Sequence, residues 1–291
     1  MGSGKPDGAF PRTVHHYQGQ TTIKTAPTKV VIIATGQLDA MLELGMCPIG
    51  STTASGAEGA VPQYLKDSHQ GQASALAAIT EVGSRTKPDI EAIGRLHPDL
   101  ILTNISGKDD ADTLYRNLSE IAATVTTRGT GQFWKSDMLL LADALGKREA
   151  AQKLLNELAI HAKAAGENLA GAGAVSLLRK NGDKLRIFGP ISFAGSVLAD
   201  MGLPRPATQQ FTDGVSKEIS AETLDQADGD WLLYAVQGGK ETELTGQALW
   251  SSLKAVSKNH AFKVDDDPFF LNAGPTAARL VREQIGKYVS P

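Results

Sequence analysis

Arginine, amide and aromatic side chains gather after the apolar runs of this sequence, and these are the groups with chemistry to offer. Gln37 and Asp39 follow the run Lys29–Ala34, and Arg85 stands between Ser84 and Thr86, ahead of Pro88. Asn104 and Ser106 follow Leu100–Thr103, and Phe133 and Trp134 come just before a helical stretch. In the second half, Arg179 and Arg186 lie in a hairpin, Tyr234 and Gln237 follow Trp231-Leu232-Leu233, and Trp250, Phe269 and Phe270 come late. A guanidinium is a planar fork of donors that keeps its charge, suited to carbonyl and carboxylate oxygens. Aromatic rings suit the apolar links of an organic ligand. Each residue alone also has a plain structural reading. Arg85 can pair with Asp89 or Glu91. Trp250 and Phe269 fit a core as well as a site. Their joint distribution over both halves favours a ligand cleft.

Other chemistries lack their residues. There is no G-x-G-x-x-G after a strand, no complete Walker A loop and no G-x-S-x-G elbow. The six histidines, His15, His16, His69, His97, His161 and His260, form no H-x-x-x-H or H-E-x-x-H pair. Asp265-Asp266-Asp267 lacks the glycine and the spaced ligands of a calcium loop and reads as a solvated acidic turn. Cys47 is the sole cysteine, which excludes an intrachain disulfide and any cysteine-rich metal site. A net charge of −3 over 291 residues leaves no electrostatic footprint for nucleic acid or an anionic membrane surface.

The elements that must position these residues alternate between strand and helix twice. Thr13–Tyr17 and Thr21–Thr25 predict a hairpin, and Lys29–Ala34 a strand buried on both faces. Leu38–Leu44 predicts a helix stopped by Gly45, Cys47–Gly50 a short strand and 52–59 a loop. Helix Ile90–Leu96, strand Leu100–Thr103, helix Thr113–Ala122 and strand Thr124–Thr127 follow, then helix Lys135–Leu145. A longer helix from Lys147 to about Leu169 carries Ala151, Leu154, Leu155, Leu158 and Ala162 on one face. Beyond it the alternation restarts. Ala174–Arg179 and Lys184–Phe188 flank the turn signal Asn181-Gly182. Helices are expected at Ala194–Met201, Ala221–Gln226, Leu249–Ala255 and Thr276–Tyr288, with strands at Trp231–Val236 and Phe262–Asp265. The expected organisation is a flexible tail over 1–11, one α/β lobe over 12–146, a bridging helix over 147–170 and a second α/β lobe over 171–291. The opening residues contain no apolar leader stretch, and their Gly/Ser/Pro/Asp composition suits a tether.

The stretches "GSRTKPDIEAIGRLHPDLIL", "RIFGPISFAGSVLADMGLPRP", "EISAETLDQADGDWLL", "LWSSLKAVSKNHAFKVDDD" and "FFLNAGPTAARLV", in this order, cover nearly all of the chain after residue 12. Together they resemble the iron-siderophore and cobalamin substrate-binding proteins of ABC importers, the class III periplasmic binding proteins with a helical backbone. "GSRTKPDIE" looks most like the branch that takes hydroxamate siderophores, where the motif's arginine, here Arg85, contacts the ligand. The resemblance implies an α/β fold of two Rossmann-like lobes joined by a single long backbone helix, with the ligand cleft between the lobes. It implies a binding protein and not an enzyme, with no cofactor and no protein-bound metal. Fe³⁺ would be held only through a siderophore that already fills its coordination shell. The expected ligand-binding residues are Arg85, Gln37, Ser106, Trp134, Arg179, Arg186, Tyr234, Gln237, Trp250 and Phe269. Glu91 and Glu222, each in the first turn of its helix, would dock onto the importer's permease. The chain is expected to act as a monomer outside the cytoplasm, as a periplasmic protein or a lipoprotein whose signal and anchor lie outside this sequence. A haem or cobalamin receptor of the same fold, with Tyr234 as the one axial ligand on offer, and an α/β enzyme with a cleft active site stay open as alternatives.

Overall fold

The computed structural model describes residues 1–34, 36–53, 59–106, 110–129 and 131–291. The chain divides into two compact units, one of Met1–Asn156 with Ala273–Thr276, the other of Glu157–Asn272 with Ala277–Pro291.

In the first unit, β1 (Arg12–His16) and β2 (Gly19–Ile23) form the antiparallel hairpin. The main sheet follows, with β3 (Val30–Ile32), α1 (Gln37–Glu43), β4 (Gly50–Thr53), α2 (Gln63–Ser68), α3 (Ala73–Ala77) and β5 (Thr80–Ser84). Next come α4 (Ile90–Arg95), β6 (Leu100–Asn104), α5 (Ala111–Ser119), β7 (Ala123–Thr127) and α6 (Trp134–Ala144). Its five strands lie in the order β5-β4-β3-β6-β7, all parallel. Parallel strands are covered on both faces, which is why β3 and β6 read as unbroken buried runs. Val31, Ile33, Val82, Ile93, Ile101 and Leu118 form a core on one side of this sheet. The helix α7 (Arg148–Glu167) has 20 residues, about 30 Å at 1.5 Å per residue, and the division between the units falls within it.

The second unit holds β8 (Val175–Asn181), β9 (Lys184–Phe188), α8 (Phe193–Asp200), β10 (Ser216–Ile219), β11 (Trp231–Gln237), α9 (Thr242–Thr245), α10 (Lys254–Ser257), β12 (Ala261–Lys263) and α11 (Pro275–Tyr288). Its sheet runs β10-β9-β8-β11-β12, with β8, β11 and β12 parallel and β9 antiparallel to both of its neighbours. Leu178, Leu185, Ile187, Leu224, Leu232, Leu244 and Leu253 are among its buried core.

Several expectations shift. The strand expected at Cys47–Gly50 begins at Gly50, and of the loop expected over 52–59, Thr52 and Thr53 belong to β4 while 54–58 lie outside the described residues. β5 and β10 carried no sequence signal, because both are edge strands whose polar Thr80, Glu81, Lys217 and Glu218 break the apolar pattern. Ala221–Ala227 is a 3-10 stretch kinked at Thr223, and the expected helix Leu249–Ala255 is split by extended backbone at Leu253. Residues 1–11 differ most from the free tail expected of them. Gly2 pairs with His15, the Ser3 backbone and hydroxyl donate to Asp143 at 2.6 and 2.9 Å, and Gly8 donates to the Gly146 carbonyl at 2.9 Å. Asp143 also faces the buried Arg12. A polar attachment to one buried carboxylate leaves no trace in hydropathy.

Candidate functional site

In the first unit, Arg85 is placed by a tight turn at the end of β5. Gly83 has φ +82°, and a Cβ there would stand 2.7 Å from the Lys87 carbonyl oxygen, so only glycine fits. The turn is closed by Lys87 N–H donating to the Ser84 carbonyl at 3.1 Å, and Arg85 N–H donates to the Thr53 carbonyl at 2.9 Å. The two carboxylates nearest in sequence have other work. Asp89 caps α4 by accepting from Ala92 N–H at 2.9 Å, and Glu91 lies 3.8 Å from Arg95. Arg85 is half-exposed, with its backbone fixed by this turn.

The ends of β6 and β7 lie side by side, Asn104 opposite Thr127. Ser106 N–H donates to the Arg128 carbonyl at 3.1 Å. Gly129, at φ +82°, lets Asn104 come so close that a Cβ would sit 2.3 Å from its amide nitrogen. Arg128 stacks over the Phe133 ring at 3.8 Å. Asp137, in the first turn of α6, accepts from the Arg128 and Gly129 N–H groups at 3.0 and 2.7 Å. Burial pushes the Asp137 carboxyl up to about 6 against the pull of those two donors and of the Arg128 charge. Gln37 is buried, its amide nitrogen spent on the Thr103 carbonyl at 3.1 Å, while its Oε1 has no partner among the described residues. Asp39 is fully buried and accepts from Thr276 N–H at 2.9 Å, a structural role. Trp134 is buried at the start of α6.

In the second unit, strand alternation sorts the side chains. Leu178, Leu185 and Ile187 belong to the core on one face of the sheet. Arg179 and Arg186, directly opposite each other across β8 and β9, point to the other face, and Glu218 on β10 is opposite Arg186. Arg179 is held hard. Its Nε donates to Asp266 Oδ1 at 2.6 Å, and its Nη2 donates to Asp266 Oδ2 at 2.8 Å and to Gln237 Oε1 at 2.6 Å. Arg186 is more exposed and 3.6 Å from Glu218, which also takes Lys184 at 3.3 Å. Phe188 meets Phe270 at 4.8 Å between ring centroids, and Phe270 meets the buried Phe269 at 5.9 Å. From behind, the buried Arg205 donates to the Phe188 carbonyl at 2.6 Å, and desolvation pushes its guanidinium down to about 9.

The structure thus brings Arg179, Gln237, Arg186 and the Phe269–Phe270 pair together on one side of the second sheet, and Arg85, Ser106 and Gln37 to strand and turn ends of the first. Two expected ligand residues are corrected. Tyr234 and Trp250 belong to the core of the second unit and pack edge to face at 5.0 Å. The Tyr234 hydroxyl donates to Glu241 at 2.6 Å, and burial together with that carboxylate raises its pKa. Tyr234 falls on the face opposite Arg179 by one residue of strand register, which a run of apolar residues does not reveal. Sequence reasoning missed Arg128, signalled only by its place between a strand and Phe133-Trp134. It also missed Phe188, and it misread Asp266, taken for solvated, because its partner is 87 residues away. Among the described residues, no three His, Cys, Asp or Glu side chains converge as a metal site, and no helix is long and apolar enough to cross a membrane.

Known proteins share this architecture. The chain is 29% identical to the probable siderophore-binding lipoprotein YfiY of Bacillus subtilis, over 95% of this chain and 87% of that protein. It is 24% identical to the Fe(3+) dicitrate-binding periplasmic protein FecB of Escherichia coli, over 94% and 88%. The crystal structure of Staphylococcus aureus SirA complexed with staphyloferrin B superposes with a TM-score of 0.80 at 25% identity, covering 96% of this chain and 99% of that one. Residues 31–268 match the profile of the "Periplasmic binding protein" family, and the chain belongs to that family.

Proposed function

We propose that this protein is an extracytoplasmic receptor that captures a ferric siderophore and delivers it to the permease of an ABC importer. The observation that carries the reading is the group Arg179, Gln237, Arg186, Phe188 and Phe270, which offers donors and aromatic surface on one face of the second sheet. Such a surface suits the outside of an organic chelate. A siderophore that fills the iron's coordination shell asks the protein for hydrogen bonds to its oxygens and apolar contact with its links, and for no metal ligand. Arg85, presented on its turn, is the donor we assign to the iron-bound oxygens, and hydroxamate is the ligand type we favour. The named relatives support the siderophore class, since one is described as siderophore-binding and another as Fe(3+) dicitrate-binding. The haem alternative loses ground because the Tyr234 hydroxyl is engaged by Glu241 within a core. Glu91 and Glu222, both exposed, are the residues we assign to permease docking.

Colour tests the reading. Protein mixed with a ferric hydroxamate and desalted should retain the visible chelate band, and should retain neither haemin nor the iron-free siderophore to the same extent. Retention of haemin alone would replace the siderophore reading with the haem one.

A further inference from the structure

Arg179 carries a feature that bears on which chelates the site accepts, and the inference rests on the receptor reading above. A guanidinium has five N–H groups. In Arg179 the one on Nε and both on Nη2 are taken, by Asp266 at 2.6 and 2.8 Å and by Gln237 at 2.6 Å. Nη1 has no acceptor among the described residues and is the only nitrogen left to offer a ligand. The ion pair is largely withdrawn from water, the Arg179 and Asp266 side chains being 11% and 17% exposed, so salt screens it weakly. Its net charge is zero. Among the described residues, the two cations next along the sheet, Arg186 and Lys184, are set against two carboxyls, Glu218 and Asp267. Arg186 shares Glu218 with Lys184, and Asp267 brings a further carboxyl whose pKa is raised by burial and by Asp266.

We propose that Asp266 is a specificity-determining residue: it cancels the charge of Arg179, so that the Nη1 edge takes an uncharged oxygen of the chelate, such as a hydroxamate or amide carbonyl, and disfavours a free carboxylate. A carbonyl oxygen accepts the Nη1 protons without objection from Asp266. A carboxylate placed on the same guanidinium meets a second carboxylate across it and finds no net positive charge in return. Gln237 contributes by holding the fork in its plane, which fixes the direction in which Nη1 points. The arginine therefore works here as a shaped donor and not as a charge.

The test compares a neutral ferric trihydroxamate, ferrichrome, with anionic ferric citrate on the whole chain, each dissociation constant read from tryptophan quenching. Wild type should prefer ferrichrome. Asp266→Asn keeps the side chain's shape and frees the arginine's charge, so the preference should move toward ferric citrate by about tenfold or more. Asp266→Glu, which retains the charge, should not produce that move. Asp266→Ser serves the same comparison should Asp266→Asn fail to fold. A preference unchanged within about twofold in a folded, uncharged variant would overturn the inference, tenfold being the scale of one ordinary polar contact. So would a wild type that prefers ferric citrate, and either result leaves the receptor reading standing. A wild type that binds neither chelate would overturn the receptor reading and the inference with it.

Discussion

The backbone of Arg85 is placed by hydrogen bonds and by a left-handed glycine that do not depend on its side chain. The turn is closed by the Ser84–Lys87 hydrogen bonds and by the left-handed Gly83, none of which involves the guanidinium. Arg85→Ala should weaken ferric-siderophore binding by about 1.5–3 kcal/mol, the range of charge-assisted hydrogen bonds. The variant should still melt cooperatively, because the turn's own hydrogen bonds remain. Titration by tryptophan quenching, alongside a melting curve, measures both, and an unchanged dissociation constant removes Arg85 from the site. Gln37 makes an instructive contrast. It was legible as a polar residue after a strand, but its amide nitrogen is spent on the Thr103 carbonyl, so any contact with a ligand falls to its acceptor oxygen.

At the scale of elements, two carboxylates at helix starts do different work. Asp7 reaches across from the amino-terminal segment and accepts from Glu149 and Ala150 N–H at 3.0 and 3.2 Å, capping α7 from outside the helix. Asp7→Ala should cost about 1 kcal/mol, as lost caps do, read as a lower denaturant midpoint with the same slope. No change would mean that the amino-terminal segment does not secure α7. Asp137 secures the turn after β7 and is charged at neutral pH despite burial. Its folded pKa, about 6, lies above the ordinary aspartate value of 3.8, so the folded state binds the proton more tightly than the unfolded chain. The penalty is absent below about pH 4, grows as pH rises between the two values and is complete above about pH 6. With allowance for its partial exposure to solvent, it amounts to about 2 kcal/mol. Asp137→Asn removes the titration. Wild-type stability relative to this variant should therefore fall by about that amount between pH 4 and pH 7.5, measured by urea unfolding at each pH. A pH-independent difference would show that Asp137 is not shifted.

At the scale of the whole molecule, the question is what the protein hands its cargo to. Glu91, 90% exposed at its side chain, opens α4 in one unit. Glu222, exposed, opens the 3-10 stretch in the other, where hydrogen bonds from Ser220 and the backbone hold its carboxyl below the usual range. Both sit at helix starts, where the positive end of the dipole accounts for them without any partner. The double charge swap Glu91→Arg with Glu222→Arg separates the two roles. Chelate affinity in solution should be unchanged, while uptake by cells that depend on this receptor should be lost. Normal uptake would leave only the local role, and weakened chelate binding would mean that these residues belong to the ligand surface.

The sequence by itself determined what is periodic or local: two runs of α/β alternation, the long helix α7, and the hairpin of β8 and β9. Each follows from apolar spacing, from Gly and Asn-Gly punctuation or from a few neighbouring residues. Tertiary structure alone decided what depends on register and on distant partners. Tyr234 fell into the core because β11 turns that face inward, and Trp250, in a 3-10 turn after α9, packs edge-on against it. Arg179 became a neutral fork because Asp266, far along the chain, meets it after β12. Asp143 drew in Ser3 and Arg12, and so fixed a segment whose composition suggested none of it. β5 and β10 were illegible alone, since an edge strand gains its structure from the backbone of the neighbour it pairs with.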